Sequence, residues 1–460
     1  MIIRRIVGVL FLTVGLSCCH KHVVKRHMDV PTSFPSSSPA YKPISDLPQT
    51  LWWHQFNDLE LNHLIDEGLT CNRDIHIAIG NLQEAKGVLK EVNLSWIPTV
   101  QLWGGYSTNP ALGIPGKFYA AWPYYTLNIM QLYSQNKQAT FNLKYYQAAV
   151  EGVRLTVIGQ IATAYFTLMA QWEQLKLLQQ LDNDVNSLIR LSQKDLYIGL
   201  GNELSVAQLQ SDEQLIRSKF HSIKENITAC ENALHYFVNE NPGHLRNKHN
   251  FSQIDFSRIK PGSLPVDVLN NRPDMKMAEY ALKAAHANVS VAYSNFFPVM
   301  QLDDFVGEVD DPEKKLVDVV DAYGVIHLAA SNLGRIAASQ GKRTAALAEF
   351  QKTVKRILKE VDTDYDSNKQ KNQRFLDYKS ALHVYQKKYT LQRGLFKTGL
   401  ISYAELLQSK IYLDNLALDV NMAKLDLALS LVMLYQDLAG GYAHQHVLSN
   451  HRSNKNDDSK

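Results

Sequence analysis

The sequence predicts a mainly helical protein with a smaller membrane β-portion, built from two tandem structural repeats offset by 200 residues. Three observations lead to this prediction. Identities recur at one constant offset, apolar residues recur every three or four positions along very long segments, and a strand-forming insert lies at the same place in each repeat. With 460 residues, the chain is long enough for one extended domain or for two or three ordinary ones.

The repeat holds without gaps across two separate regions. Chance readily produces scattered identities, but it does not readily produce one offset that keeps Pro and Gly at the same structural breaks. The matched positions are Asp74, Ala78, Leu82, Ala85, Pro98, Gln101 and Leu102 with Asp274, Ala278, Leu282, Ala285, Pro298, Gln301 and Leu302, and then Leu191, Gly199, Leu200 and Gln208 with Leu391, Gly399, Leu400 and Gln408.

Each repeat is predicted to contain the same elements in the same order. A first helix is stopped by Pro98 or Pro298, and two strands follow. A very long helix comes next, roughly 100 Å at 1.5 Å per residue, and Gly199 or Gly399 provides a tight turn from which another helix returns. The predicted helices are 54–96, 134–198 and 203–240 in the first repeat, and 265–296, 331–398 and 402–438 in the second.

The amino terminus has the features of an export signal. Residues 1–19 combine Arg4 and Arg5 with an apolar core of about 11 residues, which is shorter than the roughly 20 that span a bilayer. The stretch ending in Cys18 and Cys19 resembles a lipobox, so one of the two is the expected lipid anchor, and an ordinary signal cut without lipid is the alternative. After the leader, we expect no apolar run long and uncharged enough to be a membrane helix.

The remaining boundaries follow from composition. Prolines and serines make 20–50 an extended tether outside the core, and a polar tail closes the chain. The predicted segments are a signal peptide at 1–19, the tether at 20–50, the first repeat at 51–240, a linker at 241–264, the second repeat at 265–442 and the tail at 443–460.

The inserts favour a membrane location in which β-strands span the bilayer. Val100–Trp103 and Tyr125–Met130 alternate partly, and aromatic residues crowd the first insert, as in the girdles of outer-membrane barrels. A small soluble hairpin with a few packed aromatic residues is the alternative for the inserts, and a filamentous coiled coil is the alternative for the long helices. About four strands per chain cannot close a membrane barrel, which needs at least eight, so several copies would have to share one.

Composition and motifs argue against other functions. The net charge is +3, and without Arg4 and Arg5 it is about +1, whereas nucleic-acid binding needs a concentrated basic surface. The sequence contains no nucleophile elbow, phosphate loop or helical pair of histidines at zinc-binding spacing. We therefore expect no enzyme, no cofactor, no metal site and no nucleic-acid partner.

A pattern of residues is formed by Arg272, Pro273, Asp274, Glu279 and Pro298. This pattern resembles the signature of TolC-like outer-membrane efflux proteins, and best that of the NodT-type lipoprotein branch. Three further stretches resemble the same branch: Trp52-Trp53-His54-Gln55-Phe56, the turn from Gly399 to Leu407, and Gly440-Gly441-Tyr442.

The resemblance implies a homotrimer in the outer membrane of a Gram-negative bacterium. Three chains would share one twelve-stranded β-barrel and one periplasmic tunnel of twelve helices. The function implied is passive conduction of cargo delivered by an RND-type or ABC inner-membrane pump and a periplasmic adaptor. An exit duct for type I protein secretion and a periplasmic coiled-coil adaptor are the alternatives.

The resemblance also places a gate at the periplasmic tip. Glu405 falls where a gate-lining residue is expected, with Gln408 one helical turn further on, and a solvated helix residue is the alternative for Glu405. One departure from the family concerns the second insert, 302–311, which is rich in carboxylates that are costly on a lipid face. These carboxylates would face the lumen or the extracellular loops, or else the strand is shifted.

Overall fold

The computed structural model describes residues 30–38, 41–44, 46–107, 116–245, 251–257, 259–310 and 314–443. Contacts divide the chain into two units, 1–32 and 33–460. In the first unit, residues 30–32 are described and form neither helix nor strand. The elements below all belong to the second unit. The predicted leader, with Cys18 and Cys19, and most of the predicted tail lie outside the described residues.

The second unit is mostly helical. Its two longest helices contain 69 and 67 residues, or about 100 Å each at 1.5 Å per residue. Short 3₁₀ turns cover Leu47–Gln49, Trp52–Phe56 and Phe251–Gln253. The α-helices are α1 (Leu59–Cys71), α2 (Arg73–Leu94), α3 (Ile129–Tyr197), α4 (Glu203–Phe237), α5 (Pro265–Asn271), α6 (Pro273–Ser294), α7 (Ser331–Lys397) and α8 (Tyr403–Asp437).

Two small sheets accompany the helices. One is a four-stranded antiparallel sheet in the order β2-β3-β5-β6, and the other pairs β1 with β4 in parallel. Within the described residues, β2 and β6 are the open edges of the larger sheet. The strands are β1 (Lys42–Pro43), β2 (Thr99–Ser107), β3 (Gly116–Leu127), β4 (Pro261–Gly262), β5 (Val299–Asp310) and β6 (Lys314–Val325).

The predicted strand at Tyr125–Met130 was wrong in its second half. Strand β3 ends at Leu127, and the side chain of Asn128 accepts a hydrogen bond from the backbone N–H of Gln131 at 3.0 Å. Asparagine is a preferred N-cap because its side chain satisfies an unpaired N–H of the first helical turn. Helix α3 therefore begins at Ile129, five residues before the predicted 134.

Each predicted first helix is broken, so the predictions of continuous helices at 54–96 and 265–296 were wrong. Asn72 and Arg272 both have extended backbones, with ψ of 131° and 127°. Arg272 is held there because the ring of Pro273 disfavours a helical conformation in the residue before it. Asn72 instead caps α2 by accepting from the N–H groups of Asp74 and Ile75.

Helix α3 lies at the centre of the packing. It packs against α2, α4, α6 and α8, whereas α7 packs mainly against α6 and α8. Near the turn end, an apolar cluster joins α3, α4 and α8. Its buried members are Leu178, Leu181, Val185, Ile189, Ile216, Ile223 and Leu418.

The prediction that the tether lies outside the core was wrong for its described residues that contact α7. Phe34 and Tyr41 are buried, and both rings pack on Tyr365. The Ser36 backbone N–H donates to Asp362 Oδ1 at 2.8 Å. Strand β1 extends this attachment to the linker through β4. Prolines keep the segment extended, but its aromatic side chains give it enough apolar area to bind the helical core.

Among the residues that the structure describes, one helix, α3, contains a window apolar enough to cross a membrane by length and composition, with a mean hydropathy of 1.3. The expectation that no such run follows the leader was therefore wrong. About 56% of that window is buried inside the chain, against the neighbours of α3. A packed core helix satisfies the same criterion, so this window is accounted for by the packing.

Candidate functional site

Arg272 organises a cluster of charged side chains where α5, α6, α7 and α8 meet. It is 7% exposed, and it donates two hydrogen bonds to Asp274, both 2.9 Å. It also donates to the carbonyl oxygen and to Oδ1 of Asp437, at 3.1 and 3.0 Å, and lies 3.5 Å from a Glu360 oxygen. The fork geometry of the guanidinium thus joins the start of α6 to the end of α8.

The carboxylates determine the ionisation of this cluster. Burial opposes the charge of Arg272, but the hydrogen bonds and charges of Asp274 and Asp437 raise its pKa overall. Burial likewise opposes the charge of Asp274, but Arg272 and Arg356 hold the pKa of this carboxyl below its ordinary value. The pair is therefore ionised throughout the neutral range, and the contribution of Asp274 to stability is lost only as pH falls through its lowered pKa.

Asn72 lies 200 residues before Arg272, at the break between α1 and α2. Its Nδ2 donates to the carbonyl oxygen of Phe237 at 3.0 Å, much as Arg272 donates to that of Asp437. Next to it, Arg73 Nε donates to Asn239 Oδ1 at 2.8 Å. The surroundings are open rather than filled. A polar cavity of about 520 Å³ lies here, lined by Asn72, Arg73, Tyr236, Asn239, Glu240 and Asn241.

The other signature residues have local roles. Pro273 is buried at the first turn of α6, where a missing N–H costs nothing. Glu279 forms an ion pair with Lys283 on the surface of α6. Pro298 is exposed just before β5 and separates it from α6. Of the predicted signature, the structure brings only Arg272, Pro273 and Asp274 together.

The two glycine turns have the same geometry. Gly199 and Gly399 both have φ of +76°, a left-handed conformation that favours glycine. In each turn the next residue closes the helix end, since Leu200 donates to the Asp195 carbonyl and Leu400 to the Leu395 carbonyl. The chain can therefore reverse its direction within a few residues after each long helix.

Glu405 has a structural role in addition to any role in a gate. It forms a capping box with Ser402: the Glu405 N–H donates to Ser402 Oγ at 3.2 Å, and the Ser402 N–H donates to Glu405 Oε2 at 3.0 Å. Glu405 and Gln408 are both exposed. They lie at the opposite end of α8 from Asp437, more than about 40 Å along the helix from the Arg272 cluster at 1.5 Å per residue.

A polar link near the turns was not predicted. Lys410 on α8 lies 3.4 Å from Asp184 on α3 and forms an ion pair with Asp414. Burial and the carboxylate of Asp184 raise the pKa of Asp414 to about 6, although Lys410 opposes this shift. In the sequence, Lys410 and Asp414 show only a common i, i+4 pair, and nothing indicates that Asp184 completes it.

Comparisons with known proteins agree over nearly the whole chain. No protein-family model matches it. The toluene efflux pump outer membrane protein TtgC of Pseudomonas putida is 23% identical over 432 residues, covering 88% of this chain and 89% of TtgC. The cation efflux system protein CusC of Escherichia coli is 24% identical over 442 residues, covering 90% and 94%.

A solved structure shows the same fold. The outer-membrane channel OprN superposes with a TM-score of 0.78 at 19% identity, covering 90% of this chain and 98% of OprN. The chain is thus similar to TolC-like outer-membrane efflux proteins over nearly its whole length. The signature around Arg272, which resembles that of these efflux proteins, forms the buried connection between α6 and α8.

The same cluster gives this TolC-like protein a pH-dependent component of stability. Burial first, and then the neighbouring carboxylates of Asp437 and Glu360, raise the pKa of Asp364 to about 8 from an ordinary 3.8. The folded chain therefore holds a proton that the unfolded chain releases between these values. Its stabilising contribution is complete below about pH 4 and is lost as pH rises towards 8.

We expect Asp364→Asn to flatten this pH dependence, because the amide cannot lose a proton. The check is urea unfolding of the detergent-solubilised protein at a series of pH values between 4 and 8. Asp377 is an exposed carboxyl on the same helix, so Asp377→Asn is the matched control. It should leave the slope of the free energy of unfolding against pH unchanged. Equal slopes in the wild type and Asp364→Asn would contradict the assignment.

Proposed function

We propose that this protein is the outer-membrane channel of a tripartite efflux system and conducts cargo passively from the periplasm to the exterior. The observation that carries the proposal is similarity to outer-membrane efflux proteins across about nine-tenths of the chain. Two helices of roughly 100 Å, each followed by an antiparallel helix of about 50 Å and preceded by strands of one sheet, support it because they suit a conduit better than a compact binding site.

The element bounds support two structural repeats. Helices α2 and α6 begin at 73 and 273, α4 and α8 at 203 and 403, and α3 and α7 end at 197 and 397. Within the described residues, however, the repeats differ in their partners. Helix α3 packs on α6 and α8 of the other repeat, whereas α7 has no comparable packing on the equivalent α2 and α4. Those unmatched faces are available to further copies of the chain.

A closed ring of three copies would pair these helix faces, and the open edges of the sheet, with those of neighbouring copies. The open edges β2 and β6 cannot face lipid, since unpaired N–H and C=O groups are costly there. Four strands from each of three chains would close a twelve-stranded barrel. Exposed aromatic residues on β2 and β3 suit its lipid interface: Trp103, Tyr106, Tyr119 and Tyr124.

The partners we propose are a periplasmic adaptor and an inner-membrane pump, either RND-type or ABC. The relatives are efflux proteins, which favours efflux over a type I secretion duct. A periplasmic adaptor function has no comparable support.

The class of cargo can be tested by deleting the gene and restoring it on a plasmid. A channel for organic compounds predicts sensitivity of the deletion strain to toluene, and one for metal ions predicts sensitivity to added metal cations.

We expect a lipid on Cys18 or Cys19, because the leader ends in a lipobox-like stretch. A clickable fatty-acid analogue supplied to growing cells should label the wild-type protein. The Cys18→Ser/Cys19→Ser variant should lose the label, while Cys71→Ser/Cys230→Ser, which removes the two half-buried thiols of the helical part, should keep it. Undiminished labelling of the first variant would exclude lipidation at this site.

We expect Glu405 to contribute to cation preference at a gate, where three carboxylates around one axis would attract cations. Glu405→Gln removes the charge and can keep the capping box, since glutamine serves at that position. It should lower cation selectivity in planar bilayers, while Glu405→Ala, which also loses the cap, should in addition raise resting conductance. A weaker effect is expected at the repeat-related Ser205, where no charge is lost.

Ser402→Ala is the matched control, because it removes the cap at a cost of about 1 kcal/mol and keeps the charge. Its ion selectivity should equal that of the wild type. If Glu405→Gln leaves selectivity unchanged, Glu405 acts only as a capping residue on the helix surface.

A further inference from the structure

Two tyrosines lie side by side with a lysine where α7 meets α8, near the second glycine turn. The rings of Tyr385 and Tyr412 have centroids 4.4 Å apart and an interplanar angle of 35°. The Nζ atom of Lys388 lies 4.7 Å from the centroid of the Tyr385 ring. Tyr412 is 56% exposed and Lys388 is exposed, so both are open to a ligand. Tyr385 and Tyr412 are called the tyrosine platform below.

Polar contacts behind the platform hold it in place. Ser409 is 6% exposed, and its Oγ donates a hydrogen bond to Oε1 of Gln392. Because Ser409 donates its one hydroxyl proton there, its Oγ accepts from the Tyr385 hydroxyl, at 3.3 Å. The ring of Tyr385 is therefore oriented before a ligand arrives, which lowers the entropy that binding costs.

The platform lies on the side of α8 away from the segment that covers this helix. Lys424 donates to the Ser252 carbonyl at 2.8 Å and lies over the ring of Phe251, so the linker covers α8 there. Tyr412 is twelve residues before Lys424 and therefore about 120° round the helix from it. Glu405, seven residues before Tyr412, lies on nearly the same side as Tyr412. Segments that cover a tunnel wall lie outside it, so the platform and Glu405 line the lumen.

Cations prevail on this part of α7. Residues 378–397 include five lysines and arginines and no aspartate or glutamate. Among the residues that the structure describes, Lys388 contacts the Tyr385 ring and forms no ion pair. Lys410 on α8, in contrast, lies beside the two carboxylates of Asp184 and Asp414. The charge of Lys388 is therefore available to an anion from solution.

The positions 200 residues earlier, where α3 meets α4, have side chains of another kind. Val185 and Leu188 are buried, and Val185 belongs to the apolar cluster of α3, α4 and α8. The position before Tyr412 by the same offset is Asp212, which is exposed. The packing of a long helix on its return helix therefore does not require tyrosine or lysine at these positions.

We propose that the tyrosine platform and Lys388 bind aromatic organic anions, such as aromatic carboxylates and sulfonates, as these pass through the channel. This inference rests on the channel function proposed above and adds a class of cargo. It is carried by a stacking face and an unpaired cation that lie side by side on an exposed surface.

Each part of such an anion has a partner. Lys388 covers Tyr385, so the ring of the ligand stacks on the exposed face of Tyr412 while its anionic group accepts a hydrogen bond from Lys388. Seven residues, about 10 Å along α8, separate Tyr412 from Glu405. Since the Debye length in physiological salt is about 8 Å, the acidic gate repels an anion at the platform only weakly. A weak site suits a channel, because cargo must also leave.

Block of single-channel current by matched small molecules tests the site. The probes are 2-naphthoate, naphthalene-2-carboxamide, which has the ring without the charge, and cyclohexanecarboxylate, which has the charge without an aromatic ring. In planar bilayers, 2-naphthoate should halve the wild-type current at a concentration about tenfold lower than either other probe, because only 2-naphthoate uses both contacts.

Tyr412→Leu removes the stacking face, and Lys388→Gln removes the cation. Each should raise the half-blocking concentration of 2-naphthoate about tenfold, whereas Tyr412→Phe and Lys388→Arg should behave like the wild type. The matched controls are Lys387→Gln, which removes an exposed lysine about 100° further round α7, and Tyr197→Leu, which removes a 91% exposed tyrosine beside the first turn. Both controls should leave the block unchanged.

Calorimetric titration of 2-naphthoate into the detergent-solubilised protein is carried out in parallel, because the three residues of the site belong to one chain. Channels that conduct but are blocked equally in the wild type, Tyr412→Leu and Lys388→Gln would overturn the site and leave the channel function intact. A protein that never conducts would overturn the channel function. The site would then stand only if calorimetry showed weaker binding in these two variants than in the wild type.

Discussion

Replacing Arg272 with methionine is expected to lower the free energy of unfolding by about 3–5 kcal/mol per chain. Methionine has a similar length and no charge, so Asp274, Asp437 and Glu360 would be left without the cation that they share. Removing one partner of a buried ion pair is costly because the remaining charges stay desolvated. The measurement is urea unfolding in detergent, followed by far-ultraviolet circular dichroism.

Arg356→Met is the matched control, because Arg356 binds the same Asp274 at 3.0 Å but has a side chain that is 43% exposed. Exposed ion pairs contribute about 0–1 kcal/mol, so the control should change stability little. Equal losses in the two variants would show that the burial of Arg272 has no special importance. An unchanged Arg272→Met protein would refute the cluster as a structural connection.

Replacing Trp52 with alanine is expected to lower the free energy of unfolding by about 3–5 kcal/mol, the range for deleting a buried aromatic side chain. Trp52 is 1% exposed and stacks on Tyr435 near the end of α8, with ring centroids 4.8 Å apart and an interplanar angle of 8°. It also packs edge-on against Trp53 and Phe56. The 3₁₀ turn at Trp52–Phe56 thus attaches the start of the helical part to its end.

Trp96→Ala is the control for this substitution, because Trp96 is 40% exposed just after α2. Both variants lose the same side chain, so the difference between them reports burial. We expect the control to lose under about 1 kcal/mol, as most exposed substitutions do. Unfolding midpoints of the two variants that coincide would contradict the assigned role of Trp52.

The helical architecture could be predicted because its determinants are local. Apolar residues at three- and four-residue spacing identified the long helices, and Gly199 and Gly399 placed their ends at 198 and 398, against 197 and 397 in the structure. The break before Pro273 was missed, although the proline that causes it is a local signal. The break at Asn72 was harder to predict, because asparagine caps a helix or lies within a loop without any proline to mark the difference.

The contacts between distant segments could not be predicted. Tyr41 donates to Asn368 at 3.1 Å, across 327 residues, and Lys410 lies beside Asp184 on another helix. Each of these side chains has an ordinary local explanation, since a tyrosine in a proline-rich segment or a lysine on a helix face is usually solvated. Pairing of this kind depends on the register between helices, which the spacing within one helix does not specify.

Single-channel recording from the purified full-length protein in planar lipid bilayers tests the central claim most directly. The protein is added to one side at concentrations at which detergent-solubilised samples have the mass of three chains. The account predicts discrete conductance steps of uniform size. It also predicts a cation preference that is smaller in Glu405→Gln and unchanged in Ser402→Ala. A correctly folded trimer that inserts into the bilayer and never conducts would contradict the proposal that this protein is a channel.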